Sequence, residues 1–159
     1  MPNERPLTID EEQELEALLL TALELVPLPP ELGLGEELPP EALVFAVDTA
    51  IDAARNGAQL SELLPLEEIA AALGALWADE LARRTGWGLV IATFGADEPE
   101  PYETLAVVKP DRSVAVLPLA IIGAALTDRH VENNVGLLFH LVVRGDYPPS
   151  EPGAWRVLG

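Results

Sequence analysis

Apolar and polar positions repeat with a helical period in three stretches of the first 86 residues. Leu15, Leu18, Leu19, Ala22 and Val26 recur at spacings of three and four, while Glu11, Glu12, Glu14, Glu16 and Glu24 mostly fall between them. That is the pattern of a helix with one buried stripe and one solvated face. Thr8 followed by Glu11 has the form of a capping box, in which each side chain satisfies the other's free backbone donor, so the first helix is predicted to begin there. The prolines of PLPPELGLGEELPP, residues 27–40, forbid its continuation and favour an extended surface connection. A second helix fits residues 40–56, with an apolar stripe at Leu43, Val47, Ala50, Ile51 and Ala54 and a stop at Asn56-Gly57. A third fits residues 65–85, with Leu66, Ile69, Leu73, Leu76 and Trp77 on one face and Gly86 placed to take a left-handed C-terminal cap.

After Gly86 the period changes. WGLVIATF, residues 87–94, is rich in the β-branched and aromatic residues that suit a pleated surface and predicts a strand. ADEPEPYE, residues 96–103, reads as an acidic loop broken by prolines. TLAVV and SVAVL flank KPDR and predict a hairpin, because Pro110 pre-sets the first turn dihedral and Asp111 favours a turn. Pro118 suits a first helical position, so LPLAIIGAALTD predicts a short apolar helix. The last helix is expected over residues 131–144, with Val131, Val135, Leu138, Phe139 and Val142 inward and Gly145 as its stop. Residues 146–159, DYPPSEPGAWRVLG, read as an irregular tail pinned by Trp155. Helices first and a hairpin later describe an α+β fold, with several helices packed on a small antiparallel sheet of about three strands. One domain over residues 1–159 is expected, and a loosely attached helical arm is the alternative for residues 1–35.

Composition narrows the chemistry. A chain of 159 residues with 49% hydrophobic content can bury a core of its own. It has no Cys, which removes disulfides, thiolate nucleophiles and Cys-rich zinc sites together. The start MPNERPLTIDEE has no basic region followed by an apolar core, and no apolar run approaches the roughly 18 residues that span a bilayer, so a cytoplasmic location is expected. The formal charge of −18 argues against nucleic acid and anionic membranes as partners and suits a basic protein instead. The charge is uneven. Residues 1–68 hold 16 acids against Arg5 and Arg55, a net of −14, leaving a net of −4 for residues 69–159.

Candidate catalytic groups do not assemble. His130 and His140 are ten residues apart, about 280° round a helix, and do not converge on a metal. Ser61, Ser113 and Ser150 sit in no G-x-S-x-G frame, and no glycine-rich loop with Lys follows a strand. Asp97, Glu98 and Glu100 offer carboxylate oxygens, but the prolines around them and the lack of an EF-hand spacing describe a solvated loop. No catalytic, cofactor or metal residue is therefore assigned. On the third helix Glu80 and Arg84 continue the angular position of Leu73 and Trp77, and Asp79 and Arg83 pair one step round. An aromatic anchor with flanking charges is one reading of that cluster. A core Trp followed by ordered ion pairs near the negative end of the helix is the other, and it gives every residue a task in helix physics.

LGALWADELARRTGW, VVKPDRSVAVLPL and NNVGLLFHLVVRG together resemble a family of small uncharacterised bacterial domains. The pattern is a Trp-bearing helix with a Gly-Trp exit, a hairpin with a proline-aspartate turn, and a terminal helix opening near an Asn. The resemblance covers about residues 66–145 and falls on Trp77, Asp79, Glu80, Gly86, Trp87, Pro110, Asp111 and Pro118. It implies an α+β scaffold of immunity-like or secretion-accessory type and brings no established activity. The acidic, proline-rich first 60 residues depart from it. The expectation is a non-enzymatic acidic module that binds a basic protein, such as an antidote covering a toxin's cationic groove. Its candidate surfaces are Glu11, Glu12, Glu14 and Glu16, the loop Asp97, Glu98 and Glu100, and the cluster Trp77, Glu80 and Arg84. A structural subunit of a homo-oligomer or larger assembly is the alternative, prompted by Leu18, Leu19, Leu20 and Leu23, and a hydrolase ranks last.

Overall fold

The computed structural model describes residues 2–27 and 41–159. In chain order the elements are β1 (Asn3–Arg5), α1 (Ile9–Leu25), α2 (Ala42–Arg55), α3 (Leu66–Thr85), β2 (Gly88–Phe94), β3 (Tyr102–Val108), β4 (Val114–Val116), α4 (Pro118–Thr127), α5 (Val135–Arg144) and β5 (Arg156–Leu158). The fold is α+β. The capping box forms: the Glu11 N–H donates to Thr8 Oγ1 at 3.2 Å, and the Thr8 N–H donates to Glu11 Oε1 at 2.9 Å. Gly86 ends α3 with φ of 75°, a left-handed conformation that costs glycine nothing.

α3 is the centre of the molecule. From Ala72 to Ala78 every side is buried, as in a helix surrounded by protein rather than one lying on a surface. α1, α2, α4, α5 and the sheet all pack against it. At Gly74 the Leu119 side chain of α4 packs onto α3 where a Cβ would stand, 2.7 Å from Leu119 Cδ2. Trp77 is fully buried, its indole Nε1–H donates to the Val135 carbonyl at 3.2 Å, and its ring meets Phe139 edge-on with centroids 6.0 Å apart. One side chain thus joins the middle helix to the first residue of α5 by a hydrogen bond and an aromatic contact.

The sheet has five strands in the order β1-β2-β3-β4-β5, antiparallel except for the parallel pair β4 and β5. Alternation along each strand sends Leu89, Ile91, Leu105, Val107, Val114 and Val116 toward the helices. Val90, Ala92, Ala106, Val108 and Ala115 face the other way and are covered by Trp155 with Phe94. Trp155 takes φ of 51°, unusual for a bulky residue, and is held there by its N–H to the Arg112 carbonyl at 2.9 Å and by burial of its ring.

Several expectations need correction. The sheet has five strands rather than about three and is mixed rather than antiparallel, because β1 and β5 add a short strand at each edge. Residues 146–159 are accordingly not irregular throughout, since Arg156–Leu158 pair with β4. α5 starts at Val135, not at residue 131, because the Asp128 and Asn133 side chains accept backbone N–H groups of His130 and Val135 and hold a turn there. Val131 is consequently exposed rather than inward. α2 begins at Ala42; Pro40 and most of PLPPELGLGEELPP lie outside the described residues. The described part of residues 1–35 is not a loose arm. Ala22 is buried, Leu15, Leu18 and Leu19 pack on the core, and β1 is hydrogen-bonded to β2. No helix among the described residues is long and apolar enough to cross a membrane.

The central place of Trp77 has a measurable consequence. Trp77→Ala is expected to cost about 3–5 kcal/mol in urea unfolding, and Trp77→Phe, which keeps a ring but loses the donor, about 1–2 kcal/mol. Equal, small losses in both would show that the indole bond and volume are dispensable.

Candidate functional site

The cluster Trp77, Glu80 and Arg84 is not a surface patch. Trp77 has no exposure, Glu80 is buried and Arg84 is exposed, so the three do not share a face open to a partner. Asp79 and Arg83 form the i,i+4 ion pair at 3.0 Å, whereas Glu80 and Arg84 form none among the described residues. Burial pushes the Glu80 carboxyl above its ordinary range, with Arg83 and Arg84 opposing and Asp79 adding to the rise.

The acids of α1 divide by direction. At 100° per residue, Ile9, Glu12, Glu16, Leu20 and Leu23 fall within about 80° of arc, centred about 120° round the helix from Ala22. Ile9 and Leu20 are 73% and 67% exposed, and Leu23 is exposed as well. Glu12 and Glu16 lie between them, exposed and in no ion pair among the described residues. The stripe therefore mixes open carboxylates with open aliphatic side chains. Glu11 is different, because it is engaged by Arg5 at 2.6 and 3.1 Å as well as by the cap. Those hydrogen bonds, Arg5 first and the Thr8 N–H next, pull its carboxyl down to about 2. Glu14 points elsewhere, into a cleft of about 260 Å³ between α1 and α3 with Leu15, Leu18 and Ala75.

Asp97, Glu98 and Glu100 are exposed on the loop between β2 and β3, where a Glu98 N–H bond to the Gly95 carbonyl at 2.8 Å forms a turn. Arg5 lies between the two acidic sets, 2.6 Å from Glu11 of α1 and 3.8 Å from Glu103 at the start of β3. His130 is exposed in the α4–α5 loop, and His140 Nδ1 lies 3.8 Å from Glu41 Oε1. No group of three or more His, Asp or Glu side chains converges among the described residues.

Two features escaped the sequence reading. The Asn133 amide donates to Asp48 at 2.7 Å and to Asp52 at 2.9 Å, clasping α2 to the start of α5. The Asp48 carboxyl is raised by burial first and Asp52 second, with Asn133 opposing. A Cβ at Gly136 would lie 3.1 Å from Asp48 Oδ2, so glycine there lets the two helices approach. The other feature is an open apolar cleft of about 530 Å³ between α4 and α5. Its signal in the sequence was the absence of any polar face in LPLAIIGAALT.

No protein-family model, no curated protein and no solved structure matches this chain.

The raised Glu80 carboxyl sets a pH dependence. A carboxyl whose folded value lies above its unfolded value of about 4.5 favours the fold below that pH, and the contribution is lost as pH rises through the folded value. Glu80→Gln is therefore expected to stabilise the chain at pH 7 by up to about 1 kcal/mol. The difference from the parent should vanish below about pH 4 in paired thermal melts. A variant less stable at both pH values would contradict the assignment.

Proposed function

We propose that this chain is a non-enzymatic module that binds a basic protein through the outward stripe of α1. The observation that carries the reading is the mixture on that stripe. Glu12 and Glu16 stand open among the exposed Ile9, Leu20 and Leu23. Leu20 and Leu23 are neighbours one turn apart, contiguous exposed apolar surface of the kind that marks an interaction site, and carboxylates on the same stripe select a cationic partner and speed its approach. The −14 net charge of residues 1–68 gives the whole half of the chain the same sign. An immunity-like role, in which the stripe covers the cationic surface of a toxin or of a secreted protein, is one form of this reading.

A structural subunit is the second reading, favoured by the same exposed Leu20 and Leu23, which a copy of the chain or another assembly component would cover. Repulsion between chains of charge −18 works against the self-assembled form. Light scattering at high concentration and raised salt distinguishes the two, since only self-assembly gives a species heavier than one chain.

The direct test is capture from the source organism's lysate on immobilised protein, elution by a salt gradient, and titration of the purified partner. Glu12→Lys with Glu16→Lys is expected to weaken that partner at least tenfold and to flatten the dependence of affinity on salt. Affinity and salt dependence left unchanged by the double reversal would remove α1 from the interface.

A further inference from the structure

We infer that the cleft between α4 and α5 binds a linear amphiphile, a hydrocarbon chain ending in a cationic amine. Ile121, Ala124 and Ala125 of α4 form one wall, and Leu137, Leu138 and Leu141 of α5 form the other. Leu158 and Gly159 close the base, where a Cβ on Gly159 would stand 3.2 Å from Ile121 Cδ1 and 3.5 Å from Leu138 Cδ2. The lining runs from Ala120 to Ala125 on α4 and from Val135 to Leu141 on α5, about 8–9 Å of helix axis at 1.5 Å per residue. Its volume of about 530 Å³ falls in the range of small-molecule sites. Aliphatic side chains on both walls suit an apolar chain.

Polarity is segregated along the trough. α4 carries no charged side chain, and the polar residues that line the cleft, Glu132 and Asn134, both belong to the loop joining the two helices. The hydrocarbon therefore lies along the helices and the head sits at the loop end. Glu132 is exposed and in no ion pair among the described residues, so its carboxylate is free to meet an ammonium group and repels a carboxylate head. The overall charge of −18 acts in the same direction. This site is separate from the α1 stripe and does not depend on the reading of it.

The test is calorimetric titration of the full chain with decylamine, decanol and decanoate below their micelle concentrations, with chemical-shift mapping of the bound state. Decylamine is expected to bind one to one, at least tenfold tighter than decanoate. Octylamine should be weaker than decylamine by roughly tenfold, since each buried methylene is worth about three- to fourfold in affinity. Ala124→Phe fills the trough and should abolish binding while unfolding stays cooperative. Glu132→Lys, on an exposed loop, should shift the preference toward decanoate. Glu12→Lys with Glu16→Lys should weaken amphiphile binding far less than Ala124→Phe does, which separates failure here from failure on α1. Three outcomes overturn the inference: no saturable binding, no dependence on chain length, or binding that survives Ala124→Phe and so reflects diffuse charge attraction. A concentration-dependent dimer broken by Ala124→Phe, with no amphiphile bound, overturns it too and gives the cleft to a second copy of the chain.

Discussion

The indole of Trp77 occupies the one place where the middle helix, the start of α5 and the Phe139 ring meet, and its N–H bond to the Val135 carbonyl fixes that meeting. The rest of the architecture follows from burying α3 on all sides. A helix with no water-facing stripe over residues 72–78 needs neighbours all round, and α1, α2, α4, α5 and the sheet supply them. Ala72, Gly74, Ala75 and Ala78 keep those neighbours close, and Leu73, Leu76, Trp77 and Leu81 fill the space between. Recognition cannot also be assigned to that helix. Its charges are confined to Glu67 and Glu68 in the first turn and to the last two turns, where Arg83 and Arg84 sit near the negative end of the helix.

The surface left over divides in two. The N-terminal half carries most of the negative charge, and part of it, Glu12 and Glu16 on α1, stands beside open aliphatic side chains. The C-terminal half is less acidic, with a net of −4, and contains the apolar trough between α4 and α5. The stripe sets carboxylates among aliphatic side chains, whereas the trough is apolar with one carboxylate, Glu132, at its loop end, which is why the two proposals give them different occupants. The ionisable groups respect the same division. Glu11 is tied into the junction of β1 and α1 and held far below the ordinary carboxylate range, whereas Asp48 and Glu80 lie against the core and are pushed above it. Acid therefore works in opposite directions on the two groups, loosening the Arg5–Glu11 tie while relieving the buried carboxylates.

Local signals in the chain were legible where a few adjacent residues decide the outcome. The Thr8–Glu11 box, the Gly86 cap and the KPDR hairpin are such cases, and each forms as its residue types predict. The edge strands were not legible, because Asn3–Arg5 and Arg156–Leu158 are three residues long and become strands only through their partners Ile91–Thr93 and Val114–Val116. The start of α5 was misplaced because Asn133 is committed to Asp48 and Asp52 on a helix 80 residues earlier, a contact no local pattern announces. Trp77 posed the hardest choice, since an aromatic flanked by charges suits a surface anchor and a core equally. Only the packing of α5 over it decides. The α1 stripe was half legible: the acids were evident, but their place beside exposed Ile9 and Leu20 depends on which side of α1 meets α3.

Hydrogen exchange of the intact chain, followed residue by residue, tests the central claim that α3 is the scaffold on which every other element is hung. The account predicts that amides from about residue 73 to residue 81 exchange most slowly and only through global unfolding, with α1 and the edge strands opening earlier. Exchange of those α3 amides as fast as the amides of α1 would contradict it, and would return Trp77 and Glu80 to the surface as candidates for recognition.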